Sequence, residues 1–494
     1  MKQKIIIALL ANLMLVLVSL DASSREMTLQ EAVAVARMQG VGALEARFNF
    51  ISSYWAYRSY KASRLPSLYL YGTAGDFNRS LTLLQNYETG QMSYASSYYL
   101  QNSIGLAVRQ NITLTGGSLS LYSDLSRIDQ FGADKSLTWY TQPVTVSYTQ
   151  PIFSYNRFKW EKLISPKEYE KARRVYVESM ENVTMDVVTA YYALMLAQMK
   201  YDVSSSGFAN TKKMRDVAAE RMKLGSVTRD EYLQLELRML NDSIAINENA
   251  VAIREAQMAL NSILGYDEST EIRPVTDEAL PDVWMDYDFV MHKALENSSF
   301  DMENEISILN ARSAVSRAKA DRGISVQLNA RFGLSKADSR FREAYLRPLD
   351  QEVVGITFSL PIFDWGLGKG KVQKAKAAEE VVRAQVQQSE NDFRRKVFTA
   401  VGQFNNQRQQ CRSSRRARDI ARERYLLIMD RFRSGSATVT ELNTAQSEND
   451  AAAHQYIADL GNFWSYYYSL RQLTLYDFIA GCDLDVNPEE MIEK

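Results

Sequence analysis

Two stretches of the chain, residues 167–273 and residues 362–487, are each longer than one hundred residues and contain no proline. Proline ends or kinks helices, so its absence permits helices far longer than the usual 11–12 residues or so. Apolar residues in the first stretch recur at helical spacing, as at Val183, Val187 and Tyr191, which indicates one buried face. The sequence therefore predicts a few very long helices rather than a series of small domains.

The chain also repeats itself at an offset of 210 residues. Three landmarks share this register: Gln150-Pro151-Ile152-Phe153 recurs as Leu360-Pro361-Ile362-Phe363, Gly225-Ser226 as Gly435-Ser436, and Leu264-Gly265-Tyr266-Asp267 as Thr474-Leu475-Tyr476-Asp477. Upstream, Lys61-Ala62 matches Lys319-Ala320 at an offset of 258, so the first copy carries 258 − 210 = 48 additional residues between positions 66 and 150. Such self-similarity indicates a tandem duplication.

The duplication predicts the organisation of the chain. The first repeat covers 25–264, a connector covers 265–286, the second repeat covers 287–476, and a tail covers 477–494. Each repeat has a helix, a strand region, a long helix, a glycine turn and a further helix. The strand regions are about 66–152 and 325–361, the turns are about 224–228 and 434–438, and the helices are about 28–62, 155–223, 228–263, 287–320, 371–433 and 438–473.

The predicted helix lengths favour a bundle of coiled helices. At 1.5 Å per residue, helix 155–223 would be about 100 Å long, close to the sum of about 52 and 54 Å for the two shorter helices of its repeat. Two half-length helices placed end to end beside one full-length helix explain these lengths. Ser165-Pro166 followed by Glu168 is a typical helix start, which predicts a break in the long helix near residue 165.

The first 24 residues have the features of a secretory signal peptide. Lys2 and Lys4 precede an apolar run from Ile5 to Leu20, which small polar residues follow. The alternative is a single N-terminal membrane anchor. Because no cysteine follows the apolar run, a lipoprotein anchor at this site is excluded.

Strand segments in both repeats alternate apolar and polar residues, which gives each strand one apolar and one polar face. A soluble antiparallel sheet would show the same pattern. Helices of this length leave no obvious protein layer to cover the apolar face of the sheet. Membrane lipid could cover it instead. The predicted lipid-facing residues are Val144, Val146, Tyr148, Val326, Leu328, Phe332, Val354, Ile356 and Phe358, and the predicted lumen-facing residues are Gln327, Asn329 and Arg331.

Backbone groups in lipid must all be hydrogen-bonded, so a membrane-spanning sheet has to close. Two predicted strands in each repeat are too few to close a barrel, and several protomers must therefore contribute strands. The 48 additional residues contain two more alternating runs, from Ile104 to Val108 and from Leu119 to Leu125, around the turn at Gly116-Gly117. They would form either an extra hairpin in the barrel wall or a folded appendage.

Taken together, the signal peptide, the duplicated plan, the Pro-Ile-Phe strand ends and the glycine turns resemble the TolC-type outer membrane efflux proteins. The resemblance covers essentially the whole chain after the signal peptide. It implies an α+β membrane protein in which a long antiparallel α-helical bundle, the periplasmic tunnel, joins a transmembrane antiparallel β-barrel completed by trimerisation. It also implies a periplasmic adaptor protein and an inner-membrane efflux pump or ABC transporter as partners.

In this family the glycine turns form the periplasmic tip, where the adaptor docks and the tunnel closes. The resemblance assigns this role to Lys223, Leu224, Gly225, Ser226, Arg433, Ser434, Gly435 and Ser436. It also assigns gate acids six residues past each glycine, at Glu231 and Glu441. The alternative is that these two acids only stabilise helix N-termini. A second acidic position and an arginine of the family tip are Thr444 and Ala437 here.

Composition argues against other classes of protein. The net charge is −1, which gives no general field for nucleic acid, and 2 cysteines and 2 histidines leave little for a metal centre. No spacing of nucleophile, base and orienting group indicates a catalytic site, so neither an enzyme nor a cofactor is expected. The leading prediction is a passive outer membrane duct for small molecules or polypeptides in a tripartite efflux or type I secretion system. The alternative is a soluble periplasmic coiled-coil adaptor or tether.

Overall fold

The computed structural model describes residues 25–85, 90, 92–132, 135–275 and 280–484. The predicted signal peptide and the end of the predicted tail lie outside the described residues. The chain divides into two compact units. The first consists of Met1–Ile51, Ala172–Phe300 and Glu390–Lys494, and the second of Ser52–Lys171 and Asp301–Ser389.

The helices are α1 Leu29–Gln39, α2 Val41–Ala62, α3 Arg157–Lys223, α4 Arg229–Leu264, α5 Tyr287–Asn297, α6 Phe300–Arg322, α7 Leu367–Ser434 and α8 Val439–Thr474. The long helices α3 and α7 have 67 and 68 residues, so the prediction of one very long helix in each repeat is confirmed. Within the described ranges, none of these helices combines the length and the apolarity needed to cross a membrane.

The first helix of each repeat is interrupted, which the sequence analysis did not predict. The interruption is at Gly40 in the first repeat and at Ser298-Ser299 in the second, positions that the 258-residue offset relates. At Gly40 a Cβ would lie 2.5 Å from the Ala36 carbonyl and 2.6 Å from the Ile263 carbonyl, so only glycine fits. In the second repeat Glu178 accepts hydrogen bonds from the backbone amide and the hydroxyl of Ser299.

The predicted break near residue 165 is wrong. Helix α3 runs without interruption through Pro166. The first turn of the helix is capped ten residues earlier, where Asn156 accepts a hydrogen bond from the Lys159 amide. Pro166 and Lys162 are both exposed, so water can reach the carbonyl that proline leaves without an amide partner.

One antiparallel sheet contains β2 Ser67–Gln85, β3 Met92–Ile112, β4 Gly117–Gln130, β5 Ser136–Ile152, β7 Ser325–Asp338 and β8 Leu349–Ser359. Its strand order is β2-β3-β4-β5-β7-β8. The two strands predicted for each repeat are present, and the first repeat contributes two more to this sheet, β3 and β4. The 48 additional residues include the hairpin β3–β4, which lies inside the sheet between β2 and β5.

Residues on one face of α3 lie at the centre of the first unit. Val187, Tyr191 and Leu194 are fully buried, as their spacing predicts. The Tyr191 hydroxyl lies 2.8 Å from the carbonyl oxygens of both Met27 and Val275, which share its single proton, and burial raises the pKa of Tyr191 to about 12. It thereby joins two short parallel strands, β1 Arg25–Met27 and β6 Ile272–Pro274, to the long helix. Residues 272–274 of the predicted connector therefore pack against the core.

A buried ion cluster links three distant parts of the first unit. The Glu181 carboxylate is almost fully buried and pairs with Arg37 and with Arg471, which lies 3.1 Å away. Arg471 also pairs with Asp477 at 3.0 Å. Burial alone would raise the pKa of Asp477, but a 2.6 Å hydrogen bond from Tyr467, backbone amides and Arg471 hold that pKa below its ordinary value. The cluster joins α1, α3 and the end of α8.

Candidate functional site

The two predicted tips are tight turns that reverse the chain between helices. Gly225 and Gly435 have φ values of 75° and 84°, in the left-handed region where glycine is favoured. The Ser226 amide donates to the Arg221 carbonyl, and the Ser436 amide donates to the Arg431 carbonyl. These bonds close the last helical turn in the manner of a Schellman motif. The duplicated glycines therefore have the same conformational role in both repeats.

Each turn is followed by a capping box. The Thr228 hydroxyl accepts from the Glu231 amide, and the Glu231 carboxylate accepts from the Thr228 amide at 2.9 Å. Thr438 and Glu441 repeat the arrangement, with the corresponding distance at 2.7 Å. Both predicted gate acids thus stabilise helix N-termini. A role in a gate remains a prediction.

The capping box makes the second tip sensitive to acid. Hydrogen bonds from the Thr438 amide and hydroxyl lower the pKa of Glu441 below its ordinary value of 4.5. A carboxyl whose pKa falls on folding stabilises the fold at pH values above its unfolded pKa. That contribution is lost as the pH falls through the lower folded value.

All eight predicted tip residues are exposed, and the side chain of Leu224 is 81% exposed. Beneath them lies an apolar cluster that joins the ends of both helix pairs. Its buried members are Met214, Ala218, Leu235, Phe432, Val439 and Leu442. The turns are therefore held on a shared core while their side chains remain accessible, as docking to a partner would require.

Arg221 connects the two tips, a role that no sequence pattern indicates. Its guanidinium donates to the carbonyls of Phe432 and Arg433 at 3.2 and 2.8 Å and lies against the Phe432 ring. A positive charge at these carbonyls also suits the negative end of the α7 dipole. The equivalent residue of the second repeat, Arg431, instead donates to Ser436 in its own turn. Only a comparison of the two repeats in three dimensions reveals this difference.

We expect Arg221→Ala to loosen the second tip. Hydrogen bonds from a charged donor contribute about 1.5–3 kcal/mol, which corresponds to roughly tenfold or greater acceleration of local opening. Hydrogen exchange of the amides in 430–438, followed by mass spectrometry, measures this change. Arg229→Ala, at an exposed arginine just after the first turn, is the control and should leave exchange in 430–438 unchanged. Equal acceleration in both variants would contradict a bridging role for Arg221.

The predicted lipid-facing residues share one face of the sheet. Directly paired residues of neighbouring strands project on the same side. The pairs are Val146 with Phe332, Tyr148 with Ala330, Ala330 with Val354, Leu328 with Ile356, and Val326 with Phe358. Val144 lies in a register shift of β5, but it lines a hollow together with Leu106 and Leu121 of the same apolar face. The predicted alternation is thus confirmed.

The opposite face is polar, as the sequence predicts. Gln327 pairs with Thr357, Asn329 with Thr149, and Arg331 with Ser147. Contact of the apolar face with lipid, and of the polar face with a lumen, depends on how several copies assemble. The side chains themselves are segregated as a membrane-spanning wall requires.

One part of the chain matches the sequence model of a known protein family. The sequence model of the family described as outer membrane efflux protein matches residues 290–474. The resemblance stated from the sequence is confirmed by this match and by the solved structures that share the fold.

Three solved structures illustrate the likeness of the whole efflux protein fold. The Campylobacter jejuni CmeC outer membrane channel has 14% identity and a TM-score of 0.66, over 94% of this chain and 88% of that chain. The Vibrio cholerae outer membrane protein VceC has 13% identity and a TM-score of 0.64, over 92% and 97%. The Neisseria gonorrhoeae MtrE outer membrane channel, in its open state, has 13% identity and a TM-score of 0.59, over 93% and 91%. No curated protein sequence matches this chain.

Proposed function

We propose that this protein is a trimeric outer membrane channel-tunnel, the outer component of a tripartite efflux or type I secretion system. The observation that carries the proposal is a six-stranded sheet with one predominantly apolar face and two edges that are unpaired within one copy, in a chain with an efflux protein fold. The apolar face would contact outer membrane lipid, and the polar face would line the path of exported small molecules or polypeptides.

The open sheet edges support assembly from several copies. In the described structure β2 and β8 each pair on one side only. Six successive antiparallel strands leave these two edges running in opposite directions. The β8 strand of one copy can therefore pair antiparallel with the β2 strand of the next, which removes every edge and satisfies the backbone in lipid.

Helix α4 supports the same assembly. Six large apolar side chains on it are about half exposed and follow the three- and four-residue spacing of a heptad: Leu233, Leu237, Leu240, Ile244, Val251 and Met258. A heptad stripe packs against another helix in coiled coils. In a soluble monomer it would remain in water, so a helix of a second copy is the partner that its spacing fits.

The proposed channel also requires a source of energy and partner proteins. A channel of this kind is a passive duct, so an inner-membrane pump or ABC transporter would supply the driving force. The exposed tip residues would contact a periplasmic adaptor that connects the two membranes. CmeC and MtrE, which share the fold, are described as outer membrane channels.

Fractionation of cells that produce the full chain tests the proposal. A channel should be extracted with outer membrane porins as an oligomer whose electrophoretic mobility changes on heating. A soluble periplasmic tether, the alternative function, would be released by osmotic shock as a protein that needs no detergent. Release in that form would reject the channel.

We expect the double variant Glu231→Gln and Glu441→Gln to raise single-channel conductance or to weaken cation preference in planar bilayers. Three copies would place each carboxylate in a ring of like charge, which favours cations. Glutamine at this position preserves the capping box, so the change removes charge and retains the helix cap. Asp230→Asn, an exposed acid of the same helical turn, is the matched control. Conductance and selectivity equal to those of the control would reject the gate role.

A further inference from the structure

The hairpin β3–β4 distinguishes the first repeat from the second. Without it, the strand order would be β2-β5-β7-β8, with two strands from each repeat. Strand β2 would then pair antiparallel with β5, as β7 pairs with β8. The hairpin is thus an insertion of two strands into a duplicated four-stranded plan.

The inserted strands continue both faces of the sheet. One apolar row crosses five strands through directly paired residues: Leu68, Val108, Leu121, Val146 and Phe332. The next residue on each strand forms a polar row: Ser67, Arg109, Ser120, Ser147 and Arg331. Strands in an appendage outside the wall would not share its two environments. Their apolar and polar residues would therefore not be expected to alternate in the same register as those of the wall.

The turn of the hairpin is fixed to the helical end of the sheet. Asn156, at the start of α3, donates to the carbonyls of Thr113 and Leu114 at 3.3 and 3.1 Å. Gln150 of β5 donates to the Thr115 carbonyl at 3.0 Å. On the other side, Asn111 donates to the Ser63 carbonyl, just after α2. The inserted strands therefore begin at the same level as the strands that continue into helices.

A contact across three strands also fixes the hairpin in the wall. Tyr71 of β2, Gly105 of β3 and Asp124 of β4 are directly paired in register. The Tyr71 ring crosses above Gly105, and its hydroxyl interacts with the Asp124 carboxylate. A Cβ at residue 105 would lie 2.6 Å from that ring, so glycine is required for the crossing.

We propose that the hairpin β3–β4 enlarges the shared barrel to 3 × 6 = 18 strands, where the four-stranded plan would give 3 × 4 = 12. The proposal rests on the trimer of the proposed function. With strands about 4.8 Å apart and tilted by about 40°, 18 strands give a backbone diameter of roughly 36 Å, and 12 strands roughly 24 Å. Inward side chains take up about 5 Å on each side, so the outer opening of the 18-stranded barrel would admit solutes with diameters of roughly 25 Å.

We expect Gly105→Val to lower the temperature at which the oligomer dissociates on heating. The new side chain would displace the Tyr71 ring and separate it from Asp124, which weakens the join between β2 and the hairpin. The matched control is Gly105→Val in a Tyr71→Ala background, because the ring that a Cβ at residue 105 would meet is then absent. An equal change in both variants would contradict the role of Gly105.

Electron cryo-microscopy of the full chain in lipid nanodiscs tests the barrel directly. Eighteen strands around one wall are expected. A trimer with a 12-stranded wall and β3–β4 outside it would overturn this inference and leave the proposed function intact. Absence of any shared barrel would overturn both.

A shortened variant tests the consequence for transport. Asn78, Tyr99, Gln130 and Ser136 lie at one level of the sheet, since each pairs with the next. Replacement of residues 79–135 by an Asn-Gly turn would therefore join β2 to β5 in register. Polyethylene glycols of graded size are added on the outer side of planar bilayers. Polymers with diameters up to roughly 25 Å should enter the full-length channel, and polymers up to roughly 14 Å should enter the variant. A full-length cutoff near 14 Å would contradict the proposal even if the variant fails to assemble.

Discussion

Substitution of Glu181 by alanine is expected to lower the free energy of unfolding by about 3 kcal/mol, because it removes the shared partner of two arginines. Arg471 would keep only Asp477, and its side chain is only 11% exposed, so water cannot replace the lost carboxylate. The Arg37 side chain is more exposed, so water would replace more of its lost interaction with Glu181. Urea titration of the purified protein in detergent, followed by the circular dichroism of its helices, measures the change.

Glu296→Ala is the matched control for this prediction. Its carboxylate pairs with Lys293 but is 53% exposed, so its removal should change the free energy of unfolding by no more than about 0.5 kcal/mol. A loss in Glu181→Ala no larger than that of the control would mean that the buried cluster does not stabilise the fold.

Substitution of Leu328 by lysine is expected to prevent assembly in the outer membrane. Leu328 lies on β7, an interior strand, and on the apolar face beside Ile356. A lysine on the lipid side of a barrel costs about 2–4 kcal/mol at the bilayer midplane and less toward its surfaces. Leu328 is the fourth residue of β7, between these depths, and three copies would each bear the cost. The amount of heat-modifiable oligomer in outer membrane fractions, compared with the unaltered protein, measures the effect.

The neighbouring residue provides the control. Asn329→Lys introduces the same side chain one position along β7, on the polar face beside Thr149 and Gly355. We expect this variant to assemble normally. If both lysines are tolerated, or if both prevent assembly, then the two faces do not contact lipid and lumen as proposed.

The sequence was sufficient to predict the long helices, because their signals are local. The absence of proline, the spacing of Val187 and Tyr191, and the glycine turns all act within one or two helical turns. The breaks at Gly40 and Ser298 were missed because they depend on contacts with other segments. Gly40 is required where the Ile263 carbonyl approaches the chain, which no local pattern records.

The two faces of the sheet could be predicted from the sequence, but the number of its strands could not. Alternation along Val326 and Leu328 follows from the residues themselves, whereas strand pairing depends on register between distant segments. The runs around Leu106 and Leu121 therefore indicated strands without indicating where they pair. At the tips, capping boxes at Thr228 and Thr438 follow from four-residue patterns. Arg221 could not be found in this way, since its partners lie more than two hundred positions away.

The bond from Arg221 makes the two turns chemically unequal, although the repeats that build them are related. Around a threefold axis the two kinds of turn would alternate, giving six ends of two sorts. A partner that docks on all six ends would then meet two different surfaces, three of each kind.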